Sequence, residues 1–562
     1  MKRSIHPTSS LLIAALALPL LSFVQSARAN VYASNIKING VLTGSSPVGQ
    51  GGGAAISYIL NEPASAGLTI KIFSGATPVR TISIAGGSSG TAQGLNTVAW
   101  DGKDDSSAYL PLGTYTVQIT AASSGYAGPN WTQIVNNASP KIYWPSGVAV
   151  DTSTNSPYYG RVMVANGVNA ANDVAPHPVG VVKFNADGSE ADEGQSTPAG
   201  TFRTDPYLGD SCRSVKYGTD DHVYFLDWVG EGKVWRCDMQ MTTSQVVFDS
   251  DLNPHFSSLT YGNADMDITD PGTTNGLVWT ADSDYPSVGV WAFPLTNNVN
   301  NTAADSTSAG INVLAPGPNI PLRTGFGLMI DGTGDVFIGE VRANAADPTP
   351  RAISITNVWP SATGTPTNWW NATEIYPITA THLNWSVGQS DDSFRDIAAL
   401  AVDSRTSPKY VACAMNGASG GLRILNAADG TLVANINQNV NTFYIGTCFD
   451  NVGNVYAGDA NTATSWAAWS PPGSNSATTP ATAAVSVVVR PHITDIRNSG
   501  GSVTIHFTAG ASDPSSAFTL FSSGTVGGPY SAAAGATITG SAGSYTATVP
   551  ASGGTQFYRI KR

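Results

Sequence analysis

One short phrase recurs six times between about residues 140 and 489: a small residue opens an apolar strand ending near Asp or Gly, and a loop leads to a second apolar strand. The first strands read 147–151, 214–218, 258–262, 327–331, 399–403 and 446–450. Their partners read 162–166, 223–227, 278–282, 336–340, 411–416 and 455–459, with one extra residue in the fifth. A strand pair repeated every 45 to 70 residues or so cannot bury its faces alone, and six stacked copies bury them by closing a ring. The small opening residue, always Gly, Ser or Ala, lets six sheets approach a common axis. An all-β chain built around a six-bladed β-propeller follows. The ring needs a final pairing, which either residues 485–489 or the segment around Trp131 to Val135 can supply.

The composition suits turn-rich β-structure, with only 12% charged residues against 59 Gly and 34 Pro. Residues 1–29 have the three parts of a secretory leader: basic Lys2 and Arg3, an apolar stretch over 11–24, and the small-residue box Ala27-Arg28-Ala29. Cleavage is expected before Asn30. The apolar stretch is interrupted by Pro19 and is shorter than the roughly 20 residues a span needs. The mature chain is therefore expected to be secreted, periplasmic or at the cell surface, with no transmembrane segment. Losing the leader removes three basic residues and no acid, taking the formal charge from −12 to −15. Such a balance repels phosphate backbones, which argues against nucleic acid as a partner.

Cys212, Cys237, Cys413 and Cys448 form no paired motif. An oxidising compartment permits disulfides, with buried free thiols as the alternative; Cys413 with Cys448, from neighbouring repeats, is the favoured pair. Two G-x-S-x-G matches, at Ser88 and Ser419, lie in Gly/Ser loops between β-patterns. A hydrolase elbow needs a strand-to-helix turn instead.

Residues 30–126 alternate apolar and polar side chains in several short runs, the period of strands with one buried face. A two-sheet sandwich follows. The phrases "ISYILNEPASAGLTIKIF" and "GLNTVAWDGKDDSSAYLPLGTYTVQI" resemble the FlgD-like immunoglobulin-fold domain. That resemblance implies a structural or spacing module, with Trp100 in the core and Asp101, Gly102 and Asp104 shaping a turn. In residues 140–489, "FDNVGNVYAGDAN" and "IDGTGDVFIGE" resemble blades of NHL-repeat and gluconolactonase-like propellers. Residues 470–484, "SPPGSNSATTPATAA", read as a linker. Residues 490–562 read as a small C-terminal β-sandwich, and their ending resembles fibronectin-III-like modules of secreted proteins.

Propeller topology ranks the candidate site residues. The second strands should end around one mouth, bringing together Asn166, Asp227, Asp282, Glu340, Asn416 and Asp459. Segments approaching the first strands add Arg213, His255, Arg323, Arg395 and Asp396. Four carboxylates, Asp227, Asp282, Glu340 and Asp459, offer the hard oxygen donors that calcium favours. The alternative role for each is to cap a turn by accepting backbone hydrogen bonds. An insertion holding Trp369, Trp370 and Trp385 between the fourth and fifth units suits sugar stacking. The expected function is recognition of an extracellular polysaccharide, a cell-envelope component or another small ligand at one propeller mouth. The catalytic alternative is a calcium-assisted carbohydrate lyase, hydrolase or lactonase; the gluconolactonase-like Glu and Asn pattern is missing from the first-strand approaches.

Overall fold

The computed structural model describes residues 30–126, 128–139, 142, 144–167, 180–191, 212–227, 232–253, 263–282, 289–308, 310–314, 325–331, 335–340, 350–354, 373–377, 397–405, 409–415, 421–437, 444–460 and 466–562. Among them, the strands of the repeated region form six antiparallel sheets. Blade 1 contains Pro145–Val150, Val162–Asn166 and Gly180–Phe184. Blade 2 runs through Cys212–Tyr217, His222–Asp227, Lys233–Asp238 and Ser244–Asp249. Blade 3 follows with Asn263–Thr269, Leu277–Asp282, Gly289–Pro294 and Ile311–Leu314. Gly325–Ile330, Asp335–Glu340, Pro350–Ser354 and Thr373–Pro377 make blade 4. Blade 5 uses Ile397–Val402, Tyr410–Met415, Leu422–Asn426 and Leu432–Ile436.

Blade 6 joins Tyr444–Phe449, Val455–Asp459 and Trp466–Ser470 to a fourth strand from before the propeller, Thr132–Asn137. The first strand of each blade contacts the first strand of the next, and that of blade 6 returns to that of blade 1. The ring is a closed six-bladed propeller. Of the two expected closures, the segment near Trp131 is the one used.

Close approach at the axis explains the small opening residues. A Cβ on Gly446 would lie 2.7 Å from the Gly147 Cα, and one on Gly147 would lie 2.8 Å from the Arg213 carbonyl oxygen. Blade 3 departs from the expected register, since its first strand is Asn263–Thr269 rather than 258–262, a segment outside the described residues. Leu277 pairs with Thr269 and Ala281 with Asp265, so the position opened elsewhere by Gly, Ser or Ala carries Asp265.

The segment expected as a linker is also different. Asn475–Pro480 and Ala483–Val488 are strands, and both pair antiparallel with Gly113–Ser123 of the N-terminal sandwich. Ala483–Val488 additionally runs parallel to Gly44–Gly49. Ala483, Val485 and Val487 enter the same core as Ile56, Ile70 and Trp100. Alternation of Ala483, Val485 and Val487 with polar or half-exposed neighbours supplies the buried face that a low-hydrophobicity reading overlooked. The propeller is thus inserted into the sandwich, and residues 485–489 belong to the sandwich rather than to blade 6.

The C-terminal unit packs the sheet of His492–Ser499, Ser502–Thr508, Ser544–Pro550 and Thr537–Ser541 against that of Ser531–Ala532, Thr519–Ser523 and Phe557–Lys561. At its centre Phe507 stacks on Tyr545, and Phe518 meets Phe507 edge-on and Tyr545 at a tilt.

All four cysteines are free. Cys413 lies in the core shared by blades 4 and 5, whereas Cys448 packs with that shared by blades 6 and 1, so the favoured bridge does not form. Burial raises the thiol pKa of every one, which suits inert packing groups. Among the described residues no helix is long and apolar enough to cross a membrane.

Candidate functional site: propeller axis and lateral groove

Strand pairing assigns equivalent positions around one face of the propeller. Asn166 pairs with Pro145, Asp227 with Cys212, Asp282 with Asn263, Glu340 with Gly325 and Asp459 with Tyr444, each beside a register shift in the first strand. In blade 5 the equivalent position is Met415, paired with Ile397 across the same shift. Asn416, the residue expected there, lies outside the described residues.

Asn166 is fully buried and its Oδ1 accepts from the Trp144 N–H at 3.0 Å, the capping role weighed for this ring. Asp227 and Asp459 are also buried. For Asp282 and Glu340 the description extends to the backbone. His255, Arg323, Trp385, Arg395 and Asp396 lie outside the described residues, as do Trp369 and Trp370. Among the described residues no three His, Cys, Asp or Glu side chains are grouped to hold a metal ion.

The axis carries a charged row that the sequence reading caught only at Arg213. Gly147, Arg213, Lys216, Asp265, Ala399 and Gly446 line a channel of about 20 Å³, room for a water and too narrow for a sugar. Asp265 Oδ2 accepts from the Leu328 N–H at 2.7 Å, and Asp267 Oδ2 from the Ile330 N–H at 2.6 Å. Two carboxylates on blade 3 therefore satisfy backbone donors of the first strand of blade 4. Lys216 closes the same seam by donating from Nζ to the Leu328 carbonyl oxygen at 3.1 Å. Burial pulls the Arg213 guanidinium down to about 10, against the opposing charge of Asp265. Burial raises the Asp267 carboxyl, with Lys216 and the Ile330 N–H opposing. Asp265 and Asp267 were missed because the 258–262 register hid the alternation of Asp265, Asp267 and Thr269 on one face of "NADMDIT", and Lys216, inside a strand read as 214–218, was missed because only strand ends and approaches were ranked.

A larger concavity of about 550 Å³ lies on the propeller's side, between the outer strand of blade 5 and the closing edge of blade 6. Pairing of Thr132–Asn137 onto Trp466–Ser470 brings Trp131 and Gln133 to face Leu432–Ile436. Trp469 is buried beneath them, while Trp131 is half-exposed and held edge-on against Tyr410 at 6.0 Å. Asn130, Gln133, Asn435 and Asn437 contribute neutral amides to this groove. Asn435 Oδ1 is buried without a hydrogen-bond partner among the described residues, whereas Asn437 Nδ2 donates to the Tyr444 hydroxyl at 2.7 Å. A half-exposed indole beside several amides, with no charged group among the described lining residues, has the chemistry to stack an uncharged ring and exchange hydrogen bonds with hydroxyls.

In the sandwich, the turn after Gly94–Trp100 has the expected construction. Trp100 is buried and its Nε1 donates to the Lys103 carbonyl oxygen at 2.9 Å. Asp101 Oδ1 accepts from the Lys103 N–H, and Asp104 Oδ1 from the N–H groups of Ser106 and Ala108. Gly102 has φ +78°, and a Cβ there would lie 2.0 Å from the Gly52 carbonyl oxygen. Residues 45–125 match the FlgD Ig-like domain. The FlgD Ig-like match ends before the two returning strands, which complete the sandwich from the far side of the propeller.

Among solved structures, the crystal structure of Saccharomyces cerevisiae Sqt1 aligns at 11% identity and a TM-score of 0.32, over 67% of this chain and 96% of that one. The structure of the Dos1 propeller aligns at 9% identity and a TM-score of 0.32, over 79% and 95%. The propeller assignment rests on the closed ring of strands itself. Comparison with curated proteins gives no match.

Proposed function

We propose that this is a secreted or cell-surface binding protein whose propeller takes an uncharged stretch of extracellular glycan along the groove between blades 5 and 6. The observation that carries the reading is the meeting, in a cleft of about 550 Å³, of half-exposed Trp131 with a buried Asn435 amide oxygen that has no hydrogen-bond partner among the described residues. The N-terminal sandwich and the C-terminal sandwich, whose ending resembles fibronectin-III-like modules, then act as spacers that present the propeller. The NHL-like character of the blades is part of this reading and implies recognition rather than chemistry. Calorimetry with neutral and acidic oligosaccharides tests it: a neutral oligosaccharide should bind, and Trp131→Ala should weaken binding by about 1–3 kcal/mol, the range for losing an aromatic anchor. Retention of full affinity in that variant would overturn the groove as the site.

The register that gives Asp227, Asp282, Glu340 and Asp459 equivalent positions on one face supports a second reading, a calcium-assisted carbohydrate-active enzyme at the mouth. Calcium titration separates the two. Saturable binding abolished by replacing those four residues with the matching amides would favour the mouth.

A further inference from the structure

The junction of sandwich and propeller holds a buried acid that no described group fully satisfies. Glu62 is fully buried, just beyond the strand Ala54–Leu60, and its Oε2 accepts from the Tyr126 hydroxyl at 2.7 Å. Its Oε1 is buried without a hydrogen-bond partner among the described residues. The Asn30 N–H and the Ser470 hydroxyl lie close enough to favour the charged carboxylate, yet burial still pushes Glu62 up to about 7.

Asn30 is itself only 1% exposed and is gripped from both domains. Its N–H donates to Ser470 Oγ at 3.1 Å, at the end of blade 6. Its carbonyl oxygen accepts from Asn61 Nδ2 of the sandwich at 3.0 Å and from Asn454 Nδ2 of blade 6 at 2.9 Å. Asn454 Oδ1 is a second buried acceptor without a partner among the described residues. A backbone nitrogen with one hydrogen thus stands in a socket with more acceptors than it can serve.

We propose that the socket is built for the α-ammonium of a chain beginning at Asn30, so that removal of the leader locks the sandwich onto the propeller. The proposal rests on the secretory reading of residues 1–29. Hydrolysis by a leader peptidase adds water across the Ala29–Asn30 peptide bond: hydroxyl goes to the Ala29 carbonyl carbon and hydrogen to the Asn30 nitrogen. The new carboxyl group releases a proton and the amine takes one up. The resulting ammonium has three hydrogens, enough for Ser470 Oγ, Glu62 Oε1 and one further acceptor. It also supplies a positive charge to Glu62, on which the described residues that act are the acid Asp450, the hydroxyls of Tyr126 and Ser470 and the Asn30 N–H. Buried charges are retained where they are paired.

The first experiment is amino-terminal sequencing of the exported protein, expected to start at Asn30; another start overturns both the leader reading and the lock. The second compares chains starting at Asn30 and at Ala29, each with Glu62 and with Glu62→Gln. At pH 7.5 the Asn30 chain is expected to melt about 5 °C higher than the Ala29 chain, with the gap abolished by Glu62→Gln. An equal gap in both backgrounds, or none in either, overturns the lock while leaving the cleavage site intact. Labelling with an amine-selective acylating reagent needs no variant. The native Asn30 amine should be protected and should react once the chain is unfolded, whereas free reaction in the native protein overturns the lock.

Discussion

Among the six positions that open the first strands, Asp265 alone is larger than Gly, Ala or Ser, because its carboxylate does what no backbone group at the axis can do. First strands of adjacent blades approach without pairing as a ladder, so their inward N–H groups need side-chain acceptors. Asp265 supplies one for Leu328, and its charge offsets part of the cost of burying Arg213. Asp265→Ala should therefore destabilise the propeller by roughly 3 kcal/mol, since it orphans a buried donor and removes a compensating charge. Asp265→Asn keeps an acceptor oxygen and should cost less, an ordering that urea denaturation of the two variants checks. Gly446→Val tests the same axis sterically. The Cβ would meet the Gly147 Cα at 2.7 Å, and because that neighbour is backbone, the cost should be about 3 kcal/mol or more, read as a fall in the urea midpoint.

At the scale of elements, the two returning strands decide how the chain is divided. Truncation after Ser470 removes Ala483, Val485 and Val487 from the sandwich core and should abolish its cooperative unfolding, although every residue of the FlgD Ig-like match remains. Truncation after Arg490 removes only the separately cored C-terminal sandwich and should leave the main calorimetric transition in place. The six strand pairs were legible because each keeps a continuous apolar run next to a small residue or a turn. Blade 3 was misread where two aspartates interrupt that run: their role as acceptors for the neighbouring blade depends on a strand some 60 residues away. The returning strands were hidden by composition, since Ser, Thr, Ala and Pro read as linker unless a sheet edge waits for them. The groove was illegible for a similar reason. Trp131 and Asn435 are far apart in sequence and meet only because the ring closes with a strand taken from before blade 1.

For the molecule as a whole, acids buried in and beside the seam between sandwich and propeller should govern the response to pH. Burial pushes Glu62 up to about 7 and Asp151 and Asp450 up to about 6. Asp450 is held by Asn454 and by the Tyr456 hydroxyl, which also meets the Tyr32 hydroxyl of the sandwich at 3.2 Å. Each group binds its proton more tightly in the folded chain than in the unfolded one. Their contribution to stability is therefore full below the unfolded carboxyl range near pH 4 and is lost as pH rises through 6 to 7. In a chain extended beyond Asn30, the three together should lower stability by several kcal/mol between pH 4 and pH 7.5, with a flatter profile in Asp450→Asn. Urea midpoints across that range check the sign. A rise in midpoint toward neutral pH, diminished by Asp450→Asn, would mean that these acids are ionised and paired in the folded state. A chain that begins at Asn30 brings its ammonium to Glu62 and should lose that residue's share of the slope, leaving the part carried by Asp151 and Asp450.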